Sequence, residues 1–287
     1  MTVYLNGSFV PKEDAKISVD DRGFVFGDGV YEVIRVVEGR LFQAQPHLER
    51  LKEGLGLLRI NFTDEQCDQL MDVGRQLIEK NELTEGEATI YLQITRGAAE
   101  RTHQFPNPPA EPAVYLSAKA ITPNHELHQQ GVSAITIPDV RWLRCNIKSV
   151  NLLPNVLAKQ RAEEAGAFSS IMIRDGLVTE GQNANVFGVK DGVLYTYPRS
   201  QYILDGITRQ LVFKMAADLN LKMRTEPITE EGLWEMDELF LSGTTTDIQG
   251  INTVDGKTIG DGRPGPVTLK LVKQLRYEME QLVAAAG

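Results

Sequence analysis

A lysine at the end of an extended run, a carboxylate between two strand-like runs and two hydroxyl-rich loops are the residues here whose types and spacing could do chemistry. Lys148 lies in RWLRCNIKSVNLLPN, just before a helix expected to begin near Pro154. Lysine becomes a nucleophile when its ammonium is desolvated or set beside other positive charge, and a closed strand end can provide this. Glu180, in GLVTEGQNANVF with Gly181 beside it, offers an anion able to keep a protonated ring nitrogen charged. In DGITRQL, Gly206 opens a predicted helix with Thr208 in its first turn, and SGTTTD follows a strand ending at Leu241. Backbone N–H groups at a helix start, with hydroxyls beside them, form a site for a dianionic phosphate. Arg50, in PHLERL, adds a guanidinium that can grip such a phosphate through two N–H groups.

Each signal alone has a plainer explanation. Lys148 fits a solvated loop lysine, Glu180 equally a turn residue, Thr208 a helix cap and Arg50 a solvent-facing helical arginine. Taken jointly they supply a lysine, a carboxylate and a phosphate cup in the order that a pyridoxal 5'-phosphate (PLP) site requires. Other catalytic signals are absent: no Gly-x-Gly-x-x-Gly follows a strand and no Walker lysine occurs. The histidines His47, His103, His125 and His128 are scattered, so no metal site is expected.

The elements that must position these residues read as follows. VYLNGSFVP alternates around Asn6-Gly7, a strong hairpin signal, and GVYEVIRVVEGRLFQA predicts a second hairpin turning at Glu38-Gly39. Leu48, Leu51, Leu55 and Leu58 recur at helical spacing after Pro46, and a helix capped by Thr63 is predicted over 64–80. Strands follow at ATIYLQITRG and AVYLSAKA, separated by FPNPPAEP. The segment 121–130, with Pro123 and few apolar residues, is the expected linker between a small domain over 1–120 and a larger one over 131–287. In the second half strands are predicted at 132–138, SSIMIRDG, NVFGVKDGVLYTYP and ELFLSG, with helices over about 154–165, 207–219 and 267–282. Hairpins outnumber strand–helix alternation, which points to α+β rather than a doubly wound parallel sheet.

Composition bounds the partners. The chain has 287 residues, 42% hydrophobic and 24% charged, enough for two packed units. Its formal net charge of -9, without a basic run, argues against nucleic acid and anionic membrane surfaces. The two cysteines, Cys67 and Cys145, make no disulfide framework, and the opening segment lacks the charged start and apolar core of a signal peptide. A cytoplasmic protein without membrane spans is the expectation.

The segments DRGFVFGDGVYEV, HLERL, ITRGAAERTHQFP, RWLRCNIKSVNLLPNVLAKQ, VTEGQNANVFGVKDG, ILDGITR and SGTTTDI together resemble the fold type IV (class IV) PLP-dependent aminotransferases and, among them, the D-amino acid transaminases. The resemblance runs from residue 20 to about residue 250. It implies a small N-terminal α/β domain and a larger barrel-like C-terminal domain meeting at the cofactor, in a homodimer with its active site at the subunit interface. It further implies that Lys148 carries the Schiff base to PLP and Glu180 faces the pyridine nitrogen. Arg50, the backbone of Ile207, Thr208, Thr244 and Thr245 would hold the phosphate, and Leu204 would lie against the ring. Tyr31, with Arg101 and His103 reaching in from the partner subunit, would trap the substrate carboxylate.

The implied reaction is transamination between a D-amino acid, D-alanine foremost, and a 2-oxo acid such as 2-oxoglutarate, in two half-reactions. Lys148 acts first as nucleophile and then as general base. The side on which the carboxylate is held relative to that lysine sets which enantiomer fits. Branched-chain L-amino acid transamination, (R)-amine transamination and an aminodeoxychorismate lyase-like reaction remain the alternatives. The sequence departs from the D-amino acid transaminase pattern at Arg35, where a lysine is expected, and at Asn183 and Ala184, where serines are common.

Overall fold

Pairs of left-handed residues close the hairpins from which the protein is built, and the computed structural model describes residues 1–285. Asn6 and Gly7 (φ 47 and 93) and Glu38 and Gly39 (φ 46 and 74) have the two positive φ values that a two-residue turn needs to match strand twist. The chain divides into two units, one formed by Met1–Pro123 with Ile147–Asn151, the other by Asn124–Asn146 and Leu152–Gln281.

In the first unit β1 (Thr2–Leu5), β2 (Ser8–Pro11), β3 (Gly29–Val37), β4 (Arg40–Leu41), β5 (Glu87–Thr95) and β6 (Ala113–Ile121) form an antiparallel sheet in the order β2-β1-β6-β5-β3-β4. Val30, Ile34 and Val36 on one face of β3 join Ile90, Leu92, Ile94 and Leu116 in a core with Leu48, Leu51 and Leu55 of α2 (Ala44–Leu58) and Leu70, Leu77 and Ile78 of α3 (Asp64–Lys80). Strand residues alternate between faces, so Tyr31, Val33 and Arg35 lie on the opposite side. α3 starts at a reciprocal capping box, with Thr63 and Gln66 each accepting from the other's backbone N–H. A five-residue helix, α1 (Arg22–Phe26), precedes β3; the Asp21 side chain caps it, and no apolar periodicity announces so short a turn.

The second unit opens with α4 (His125–Gln130), whose Asn124 cap accepts from Leu127 N–H. Its mixed sheet has the order β12-β11-β10-β13-β14-β7-β8-β9, with β15 beside β14. These strands are β7 (Val132–Pro138), β8 (Ser169–Arg174), β9 (Leu177–Gly181), β10 (Asn185–Lys190), β11 (Val193–Thr196), β12 (Lys222–Arg224), β13 (Glu238–Gly243), β14 (Asp247–Val254) and β15 (Lys257–Thr258). The parallel pair β7 and β8 requires a crossover, and α5 (Leu153–Glu164) lies within it. α6 (Ile207–Asp218) and α7 (Pro266–Ala284) complete the unit's helices. The architecture is α+β. β9 places Glu180 inside a strand rather than between two, and β14 stands where no element was predicted, its Gln249-Gly250 pair interrupting the apolar pattern.

Candidate active site

Lys148 sits on a segment that behaves as a short strand against the start of β3. Its carbonyl accepts from Tyr31 N–H at 3.0 Å, Val150 N–H donates to the Gly29 carbonyl at 3.0 Å, and Ser149 bridges Val30. These backbone bonds fix a residue that side-chain packing alone would leave free to swing. The Lys148 Nζ lies 4.2 Å from the centroid of the Tyr31 ring, in cation–π contact. Tyr31 in turn stacks on Tyr91, whose hydroxyl donates to Gln93 Oε1 at 2.6 Å. Burial, with Tyr31 and Tyr115 nearby, pushes the Tyr91 phenol up to about 12.

On the other face of β3, Glu32 breaks the apolar alternation. Its carboxylate is 1% exposed and accepts from Arg50 Nε at 2.7 Å and Arg50 Nη2 at 2.8 Å. His47 Nδ1 lies 2.7 Å from Glu32 Oε2, and since an ionised carboxylate only accepts, that nitrogen carries the proton. Burial opposes ionisation of Glu32, but the charge and hydrogen bonds of Arg50, with His47, outweigh it and bring the carboxyl down to about 2. Burial also holds the His47 imidazole below its ordinary value against the pull of Glu32, and the positive Arg50 and Lys148 add to the effect. Arg50 is thus aimed by a buried acid, and its position three residues after His47 puts both on one face of α2.

Arg101 and His103 are exposed and lie against Phe26, at 5.4 Å and 5.7 Å from its ring centre. Their loop is pinned at two points. Arg22 Nη1 donates to the Thr102 carbonyl at 2.8 Å, and Phe105 is flanked by the guanidiniums of Arg59 and Arg96 at 5.1 Å and 3.8 Å. Asp28 binds both Arg22 and Arg96. Burial would raise its carboxyl, yet the two arginines hold it below the usual range.

In the second unit Glu180 is 5% exposed and points from β9 to a set of donors. Asn185 Nδ2 reaches its Oε2 at 2.9 Å, Leu204 N–H donates to the same oxygen at 3.1 Å, and Arg141 Nη1 makes a short charged bond to Oε1. Burial raises the Glu180 carboxyl above its ordinary value even with Arg141 opposing it. Asn185 Nδ2 also donates to the Leu204 carbonyl at 2.8 Å, so the residue before the α6 loop is tied to the strand carrying Asn185. α6 starts at Gly206 with no side-chain cap; Ile207 and Thr208, 5% and 9% exposed, occupy its first turn. A Cβ on Gly206 would stand 2.2 Å from Asn185 Oδ1, so only glycine fits. Thr244 is half-buried and Thr245 exposed in the turn joining β13 to β14, and Ser242, just before it, is buried. Among the described residues no group of three metal-ligating side chains occurs, and no helix is long and apolar enough to cross a membrane.

The first unit offers a primary amine on a backbone-anchored segment, and the second a buried carboxylate and an uncapped helix start with Thr208 in its first turn; these are the group types that a phosphorylated heterocyclic aldehyde calls for. The pattern of the Amino-transferase class IV family matches residues 29–254, and the chain belongs to that family. Its enzymes use PLP to move an amino group between amino acids and oxo acids. The D-alanine aminotransferase of Staphylococcus epidermidis is 44% identical over 272 residues, 94% of each chain, and that of Bacillus licheniformis 41% over 268 residues, 93% of each. Among solved structures, the branched-chain amino acid aminotransferase of Escherichia coli superposes with a TM-score of 0.87 at 30% identity, covering 96% of this chain and 93% of that one. The branched-chain enzyme of Thermoproteus uzoniensis, with norvaline, gives 0.86 at 28%, covering 98% and 95%.

Reading the sequence for chemistry missed Glu32, His47 and Arg141. Glu32 had a visible signal, an acid in the apolar phase Val30-Ile34-Val36 of β3, matched by His47 and Arg50 three residues apart on the next helix. Arg141 had only its place beyond the end of β7, in Asp139-x-Arg141.

Proposed function

We propose that the protein is a PLP-dependent D-amino acid aminotransferase that uses D-alanine and 2-oxoglutarate. The observation that carries this reading is the 44% identity with a D-alanine aminotransferase across 94% of both chains, against 30% with the branched-chain enzyme that shares the fold. PLP, when bound, supplies an aldehyde that takes up an amino group and a ring that withdraws electrons from the bond being broken.

This chain's residues do the rest. With PLP bound, Lys148 Nζ would hold it at its aldehyde and would serve as the base for the substrate's α-proton. Its backbone bonds to β3 fix the base of the side chain that would carry both roles. The Glu180 carboxylate would hold a proton on the ring nitrogen, and Leu204 would lie against the ring. Arg50, braced by Glu32, would hold the phosphate together with Thr208, Thr244, Thr245 and the N–H of Ile207. Tyr31, Arg101 and His103 hold the substrate carboxylate and so set the enantiomer.

Arg101 and His103 act across a homodimer, reaching the partner's substrate. Their exposure in the single chain supports this, as does the apolar surface of α5, where Leu153, Val156 and Leu157 are 66%, 59% and 58% exposed. Steady-state assays of D-alanine, L-alanine and L-leucine with 2-oxoglutarate test the reading. D-alanine is expected to be the preferred donor, and Lys148→Ala to abolish exchange with it. Preference for L-leucine would overturn the D-specific assignment, and full exchange by Lys148→Ala would overturn the whole.

A further inference from the structure

Behind Glu180 stands a buried cluster that the proposed reaction does not itself name. Asp139, with a side chain 0% exposed, accepts from Arg141 Nε at 2.9 Å, Arg141 Nη2 at 2.8 Å, Arg174 Nη2 at 3.0 Å and Thr179 Oγ1 at 2.8 Å. Arg141 is therefore gripped along one edge by Asp139, and its remaining nitrogen, Nη1, donates to Glu180. Arg141 Nη2 also reaches the Tyr202 carbonyl at 3.2 Å, and Arg174 Nη2 the Arg141 carbonyl at 2.9 Å, so the guanidinium has one orientation. The cluster holds two guanidiniums and two carboxylates, and its formal charges cancel.

We propose that Arg141, held by Asp139, is the positioning residue that keeps Glu180 ionised and aimed, and thereby decides that the proton shared with the cofactor's ring nitrogen stays on the nitrogen. The inference rests on the reading of Glu180 given above. A proton between a carboxylate and a pyridine has two places, and the two states differ in charge separation. In a dry site the neutral pair is favoured, because burial penalises each charge. Burial does push the Glu180 carboxyl upward here. A fixed guanidinium bonded to the carboxylate stabilises its anion and leaves the neutral acid unmatched, which returns the proton to the ring. Arg141 is suited to this because, although burial works against its charge, Glu180 and Asp139 outweigh that and hold its own proton more tightly than usual. Asp139, drawn down to about 2 against its burial by Arg141 and Arg174, stays charged throughout and keeps the guanidinium from turning away. Asn185 and Leu204 N–H aim the second oxygen but carry no charge, so they cannot replace it.

The test is the 15N chemical shift of PLP labelled at its ring nitrogen, read in the holoenzyme, beside steady-state kinetics. Wild type is expected at the pyridinium position. In Arg141→Met the resonance is expected to move toward the free-pyridine position, with kcat for D-alanine down by about tenfold or more and KM little changed. Arg141→Lys, which keeps a charge, is expected to retain the pyridinium signal. Because Arg141→Met strands Asp139 beside a single arginine, the double variant Arg141→Met/Asp139→Asn is measured as well. It restores a neutral cluster, and its resonance is expected to move just as far. A pyridinium signal unchanged in both methionine variants overturns the inference. Glu180→Gln separates this from the parent reading: if its shift moves while those of the methionine variants do not, only the role of Arg141 falls, and if it too stays put, the role of Glu180 falls.

Discussion

Glu32 and His47 illustrate how a buried charge can serve a residue proposed to bind the phosphate. Glu32 is shut off from solvent and accepts from both Arg50 and His47 of α2, so its ionised form is part of the fold. Its folded value of about 2 lies below the ordinary 4.5. A depressed carboxylate contributes stability that is complete above the unfolded value and lost as pH falls through the folded one. Glu32→Gln is expected to lower stability by about 3 kcal/mol near neutral pH, as removal of one partner of a buried pair does. The difference in urea midpoint from wild type should hold steady down to pH 4.5 and shrink toward pH 2. A difference independent of pH would show that the carboxylate's charge is not what matters. The same variant leaves Arg50 without its brace, so weaker PLP retention should accompany it. Lys148 and Glu180 could be found in the sequence because each sits beside turn or strand-end residues. Glu32 was passed over although its place in the apolar phase of β3 marks it, because an acid in a strand ordinarily reads as solvent-facing and its partners lie fifteen and eighteen residues on.

At the scale of elements, legibility followed local signals. The two hairpins at Asn6-Gly7 and Glu38-Gly39 and the helix capped by Thr63 were readable, since each is fixed by residues within a few positions of itself. β9 is five residues long with buried Thr179 and Glu180, and β14 carries Gln249 and Gly250 in its middle; their burial comes from neighbouring strands and not from their own composition. The loop bearing Arg101 and His103 belongs with these, because what orders it is distant in sequence: Arg22 at its middle and Phe105 between Arg59 and Arg96. If that loop presents the substrate-carboxylate clamp, loosening it must affect binding more than chemistry. Phe105→Ala is expected to raise KM for D-alanine and for the oxo acid by about tenfold with a smaller change in kcat, a size that misplacement by an ångström readily produces. Unchanged KM values would mean that the loop's anchoring is irrelevant to substrate.

For the whole molecule the open question is where the carboxylate clamp acts. α5 carries Leu153, Val156 and Leu157 on its surface, and sequence periodicity alone would have buried them in the chain's own core; a second subunit gives them a partner. The proposed dimer makes each active site draw Lys148 from one chain and Arg101 from the other, which mixing can test directly. Lys148→Ala lacks the amine and Arg101→Ala lacks the clamp, so each homodimer should have little D-alanine activity. If both variants are unfolded together and refolded, mixed dimers form. With the clamp acting in trans, the site that keeps Lys148 receives an intact Arg101 from the Lys148→Ala chain, and one of the two sites recovers. With the clamp acting in cis, every site in the mixed dimer lacks one group, and no activity returns. Recovery of D-alanine exchange in the mixture, absent when each variant is refolded alone, is the expected result; a mixture as inactive as its components, with mixed dimers shown present by mass spectrometry, would place the clamp within its own chain.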